Sequence, residues 1–144
     1  MCLSLTLVII FGCSERAHLD LHAHMLVLGE DEDKFNLNLI VREWCDELDP
    51  MWEFRAFVMN SKLTSCTIYS DFTYVPEIAA NRDTVERMIV ECWESVKDRI
   101  HVPGYTIDFF VAPDLSFVRI IEINWLPPTA GTGLFNWHDE EDKR

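Results

Sequence analysis

An acid in the middle of an apolar strand constrains this chain more than any other feature. Asp108 stands in YTIDFFV, Tyr105–Val111, and Glu122 in VRIIEINW, Val118–Trp125, with the turn APDLSF between them. An ionised carboxylate among β-branched and aromatic neighbours is costly unless a partner offsets its charge. Asn124 follows Glu122 by two residues, so on a strand both side chains share a face. Asp108 joins them if it pairs opposite Glu122, which requires a turn spanning Pro113 through Phe117. A register one residue shorter puts the two acids on opposite faces. Two acids and an amide are all oxygen donors, and that set suits Mg²⁺, which takes a few carboxylates plus waters and phosphate oxygens. The alternative for each acid alone is a structural carboxylate held by backbone donors.

Around this hairpin the pattern predicts further strands and one long helix. LNLIVREW, starting at Leu37, has strand composition and is bounded by Asn36 and the DELDP loop. EFRAFVM alternates, with Phe54, Ala56 and Val58 on one face and Glu53, Arg55 and Phe57 on the other. Asn60-Ser61 is a hairpin signal before the returning strand KLTSCTIY. Arg55 is either one half of a cross-strand ion pair, with Glu53 as its same-face neighbour, or a planar fork of donors aimed at phosphate. Ser70–Ala80 lacks periodicity and reads as a loop. Asn81–Ile100 reads as a helix, with Asp83 and Glu86 as a capping box and Val85, Met88, Ile89, Cys92, Trp93, Val96 and Ile100 as one apolar stripe. Pro103-Gly104 stops it. Gly131 and Gly133 allow close backbone approach in the loop that follows Asn124, and the charged end HDEEDKR is expected to fray.

The 144 residues amount to one domain, or a fragment of one. An apolar content of 49% supports a core. A formal charge of −13 argues against a nucleic-acid binder, whose phosphate contacts need a basic face. It favours divalent cations or a basic protein partner, and serves solubility equally well. Five cysteines, an odd number without C-x-x-C, read as reduced intracellular thiols. MCLSLTLVIIFGC at the start is too short to span a bilayer and has no basic residue before its apolar core. It reads as a buried strand or an artefact of a truncated gene model, with a signal anchor as the alternative. His18, His22 and His24 read as surface side chains of a linker, and Glu30–Asp33 as a solvated loop.

Taken in order, VREW at Val41–Trp44, EFRAFV at Glu53–Val58, TIDFF at Thr106–Phe110, EIN at Glu122–Asn124 and LFNW at Leu134–Trp137 resemble the cell division cycle protein 123 family of ATP-grasp-like proteins. The resemblance covers about residues 37–138. It implies an α+β fold, an antiparallel sheet of about five strands with a covering helix, like the C-terminal subdomain of an ATP-grasp. That subdomain would be 37–144, after an N-terminal extension 1–36. It further implies ATP and Mg²⁺ as cofactors. Arg42, Glu43, Trp44 and Cys45 would form the hinge strand end against adenine, Arg55 a phosphate-side cation, and Asp108, Glu122 and Asn124 the magnesium ligands.

There are departures from the family. Its position at Glu122 is commonly Asp, the residue at Trp125 is usually Pro, and its Thr-Asp before L-F-x-W is replaced by Ala130-Gly131. An ATP-grasp normally carries a preceding lysine-bearing subdomain. Residues 1–36 are too short for one, and Lys34 is the only lysine before the first recognised strand. The chain is therefore expected to be a fragment or a degenerate member. The function implied is that of a cytoplasmic assembly chaperone acting on the gamma subunit of translation initiation factor 2, without nucleic-acid or membrane partners. The alternatives are an ATP-dependent carboxylate–amine ligase and a fragment without independent activity.

Overall fold

The computed structural model describes residues 13–28, 43, 45–70, 72–126 and 131–135, which fall into two units, Met1–Glu43 and Trp44–Arg144. In the first, Glu15–Leu28 is a helix, α1, where a linker is expected. Ser14 begins it, its hydroxyl accepting from the Ala17 amide at 3.2 Å. Arg16 and Asp20, four residues apart, pair at 3.0 Å. Its apolar residues form no single stripe, and Leu19, Met25 and Leu26 are all exposed; hence no periodicity announces it. His18 and His22 are exposed on this helix. The stretch 1–12 lies outside the described residues, as do 29–42 and with them most of LNLIVREW.

In the second unit four strands form one antiparallel sheet, β1 (Glu53–Met59), β2 (Lys62–Ile68), β3 (Gly104–Val111) and β4 (Val118–Trp125), in the order β2-β1-β3-β4. The expected strand at 37–44 lies mostly outside the described residues, so four strands stand where about five are expected. Asn60 and Ser61 close the β1–β2 hairpin with φ of 51° and 58°. Both values are positive, as a two-residue turn matching the strand twist demands.

Between β2 and β3 run two helices, α2 (Pro76–Ala80) and α3 (Arg82–Val96). The first is a correction to the loop expected at 70–80, with Pro76 in the first turn, where its missing N–H costs nothing. The expected capping box also changes. Asn81 is the N-cap of α3 and makes no side-chain cap bond. Its Nδ2 instead donates to the Glu77 carbonyl at 2.8 Å, finishing α2. Asp83 sits in the first turn, where the helix dipole favours an acid.

Helix α3 buries Val85, Ile89 and Trp93 with Phe54, Ala56, Val58, Tyr105, Ile107 and Phe109 in one core. Trp93 Nε1 donates to Tyr105 Oη at 3.0 Å, so the one polar atom of that ring is satisfied inside the core. The opposite face of the sheet is also covered in part. Five consecutive residues of β1 are buried, and Phe57 meets Phe135 edge-on at 5.5 Å between ring centroids.

Ile89 is 2% exposed and Val90 beside it 37%. Ile89→Ala should cost about 2–5 kcal/mol through lost burial and the cavity left behind. Val90→Ala should stay within about 0.5 kcal/mol, as surface changes do. Urea unfolding of both variants checks the difference.

Candidate functional site

The hairpin β3–β4 acquires its acidic face through one extra residue. Next to the turn, Val111 pairs with Val118, Phe110 with Arg119 and Phe109 with Ile120. Continued unbroken, that register would set Asp108 against Ile121 and leave Glu122 on the other face. The ladder shifts between Asp108 and Phe109. Ile121 is the extra residue, and beyond it Asp108 pairs with Glu122, Ile107 with Ile123 and Thr106 with Asn124. A bulge re-aims the side chains beyond it, and here it brings Glu122 and Asn124 round to the face of Asp108.

Two transverse rows result. Thr67, Arg55, Asp108 and Glu122 cross all four strands in one, and Ser65, Phe57, Thr106 and Asn124 in the next. In the first row Arg55 Nε donates to Asp108 Oδ1 at 2.8 Å and Nη2 to Oδ2 at 2.7 Å, a bidentate pair. Asp108 is wholly buried and Arg55 nearly so. The third donor, Nη1, reaches the Gly131 carbonyl at 2.8 Å, and the guanidinium lies over the Tyr69 ring at 4.6 Å. A Cβ on Gly131 would stand 3.0 Å from Arg55 Nη1, a tight contact that would press on the guanidinium. Glu122 has a side chain 54% exposed, with Oε1 3.9 Å from Arg55 Nη2. The same oxygen accepts from Asn124 Nδ2 at 2.8 Å. Thr106 Oγ1 is buried and has no hydrogen-bond partner among the described residues, a condition that costs about 1–3 kcal/mol.

Charge on this face is unbalanced, because three carboxylates share one guanidinium. Burial pushes the Asp108 carboxyl above its ordinary range; the Arg55 fork pulls it back and Glu122 pushes it up again. Glu53 is raised too, first by burial and then by Asp108 and Glu122. The Arg55 guanidinium is held more firmly protonated by its bonds to Asp108. Arg119, on the same face, lies over Phe117 instead.

The oxygen set fits Mg²⁺ on these observations. No three His, Cys, Asp or Glu side chains converge on a point among the described residues. A cation held here would take two carboxylates at most, an amide oxygen and oxygens from outside the chain. Mg²⁺ accepts such a set, and surplus negative charge would favour it.

Of the residues expected at the site, Arg55, Asp108, Glu122 and Asn124 are gathered within two rows. Glu43 is exposed and Cys45 half-buried, and they belong to different units of the chain. Arg42 and Trp44 lie outside the described residues. Tyr69 under the guanidinium and the Thr106 hydroxyl carry no sequence signal of their own, whereas Glu53 is legible as the same-face neighbour of Arg55 and Gly131 as a point of close backbone approach. Cys13, Cys45, Cys66 and Cys92 are free thiols.

Comparison with known proteins gives the same ordering of elements a wider context. The family model D123 matches residues 6–144. The structure of Cdc123 from Schizosaccharomyces pombe matches over 90% of this chain and 52% of its own, at 23% identity and a TM-score of 0.72. The structure of C-terminally truncated Cdc123 from the same organism matches over 67% of this chain and 36% of its own, at 26% identity and a TM-score of 0.60. The chain thus spans about half the length, or less, of the structures it matches, and shares their fold.

Two outcomes test the geometry. Removing one partner of a buried pair strands the other, so Arg55→Met should cost about 3–5 kcal/mol, and adding Asp108→Leu should restore part of it. Chemical denaturation of the two singles and the double measures this. Second, Glu53 holds its proton more tightly folded than unfolded, its ordinary value being 4.5. Its contribution to stability is complete below that value and is lost as pH rises through the raised one. Glu53→Gln should therefore flatten the fall in Tm as pH rises above 4.5 in metal-free buffer, relative to the parent chain. Parallel curves would contradict the assignment.

Proposed function

The chain belongs to the D123 family, the family of Cdc123, and from that premise we propose that its bulged sheet face binds Mg²⁺ together with ATP. The observation that carries this reading is the surplus of carboxylate on a largely buried face beside the exposed Glu122 and the half-buried Asn124. Glu122 and Asn124 are the donors nearest solvent, and they meet the cation first. Asp108 has both oxygens engaged by Arg55, yet each carboxylate oxygen keeps a second lone pair. It contributes charge from behind and fixes the guanidinium.

Arg55 is a counter-charge in this arrangement, with three of its five N–H donors engaged by Asp108 and the Gly131 carbonyl. Bound Mg²⁺ supplies the positive charge that holds the phosphate oxygens against an otherwise acidic face. Arg42, Glu43, Trp44 and Cys45 would contact adenine, a role that rests on the family resemblance alone. The partner in this reading is the gamma subunit of translation initiation factor 2, and a formal charge of −13 suits a basic contact surface.

One sheet covers only one side of a nucleotide, whereas a pocket normally buries most of its ligand. Calorimetry of the 144-residue chain with Mg-ATP should give a Kd of about 100 μM or weaker, roughly 5.5 kcal/mol. Glu122→Gln should weaken it at least about fivefold by removing charge at the metal, and so should Asp108→Asn. Binding should also weaken as pH falls toward the acid range, because a cation competes with the proton that Glu53 holds more tightly than usual. Low-micromolar binding that survives both substitutions would refute the site.

A further inference from the structure

Thr106 is the residue of this face that the chain itself leaves without a role. It precedes Asp108 by two positions on β3, so both side chains are on one face, and it pairs with Phe57 on one side and Asn124 on the other. It is wholly buried. Its Oγ1 stands alone as a buried side-chain nitrogen or oxygen without a hydrogen bond among the described residues. Valine has the same shape and branching and suits a strand equally well. A hydroxyl here brings only a desolvation cost unless something supplies a partner. Asn124 across the strand is only half-buried, so a ligand on the acidic face arrives from that side.

Asp108 and Glu122, when ionised, only accept hydrogen bonds, and Asn124 already directs its Nδ2 to Glu122. A hydroxyl both donates and accepts, so it supplies a donor to an oxygen that the cation brings. We infer that Thr106 is a fourth oxygen of the site, its hydroxyl hydrogen-bonding an oxygen ligand of the bound cation beside Asn124. This rests on the face binding a divalent cation. The ligand oxygen is that of a water or of a phosphate.

Manganese is the probe, titrated alone and as Mn-ATP into the parent chain, Thr106→Val, Thr106→Ser and Glu122→Gln, with free Mn²⁺ read by electron paramagnetic resonance. Thr106→Val should bind about fivefold more weakly, and Thr106→Ser within about twofold of the parent. A loss seen with Mn²⁺ alone assigns the hydroxyl to a metal-bound water, and a loss seen only with Mn-ATP assigns it to phosphate. In metal-free buffer Thr106→Val should unfold no lower than the parent, since its hydroxyl has no partner there. If it unfolds lower, the hydroxyl is satisfied within the chain and the inference falls. If Glu122→Gln weakens binding and Thr106→Val does not, the inference also falls, while the reading of the face stands. If the parent binds Mn²⁺ in neither form, both fall together.

Discussion

Arg55 and Asp108 face each other across β1 and β3 with two nitrogens and two oxygens engaged, and the second face of the sheet is arranged around that pair. Burying two charges gains little net stability, and apolar replacements of similar size are often as stable. What such replacements could not reproduce is the local field. The guanidinium holds Asp108 in the interior, takes up the Gly131 carbonyl and stacks on Tyr69. Tail, sheet and the residue after β2 thus converge on one cation. Bound in this way, Arg55 offsets one acid and leaves Glu53 and Glu122 as surplus charge. The cation proposed above would offset that surplus.

The bulge at Ile121 is the second condition. Side chains alternate along a strand, so a single added residue decides whether Glu122 and Asn124 stand with Asp108 or behind it. The turn alone would have set the wrong register. The β1–β2 hairpin also carries a shift, between Phe57 and Val58, with Thr64 donating its hydroxyl to the Phe57 carbonyl at 3.0 Å. Both hairpins are thus adjusted locally after their turns.

What could be read from the residues is what periodicity and strand spacing carry. The stripe Val85, Ile89, Trp93 belongs to a helix over a sheet, Asn60-Ser61 turns a hairpin, and Glu122 and Asn124 share a face, which Asp108 joins only through the bulge. Arg55 was legible as one half of a cross-strand ion pair, but the partner was not. Glu53 is its nearest acid on the strand, whereas Asp108 lies opposite it on β3. Pairing between β1 and β3 joins segments separated by two helices, and no local pattern specifies which acid meets which base. Helix α1 went unseen because its apolar residues are spread round it, and α2 because five residues are too few to show a period. Asn81 illustrates the competition at a helix start, since its side chain closes the preceding turn instead of opening the next. The Thr106 hydroxyl is legible only once burial and hydrogen bonding are known for every neighbour.

Whether surplus carboxylate on this face selects a divalent cation at Glu122 and Asn124 is tested most directly by crystals of the chain grown with Mn²⁺ and measured at a wavelength where manganese scatters anomalously. One strong anomalous peak is expected within coordination distance of Glu122 and Asn124 oxygens, about 2.0–2.2 Å as for a small hard cation. No peak there, or a principal peak at His18 and His22 on α1, would contradict it.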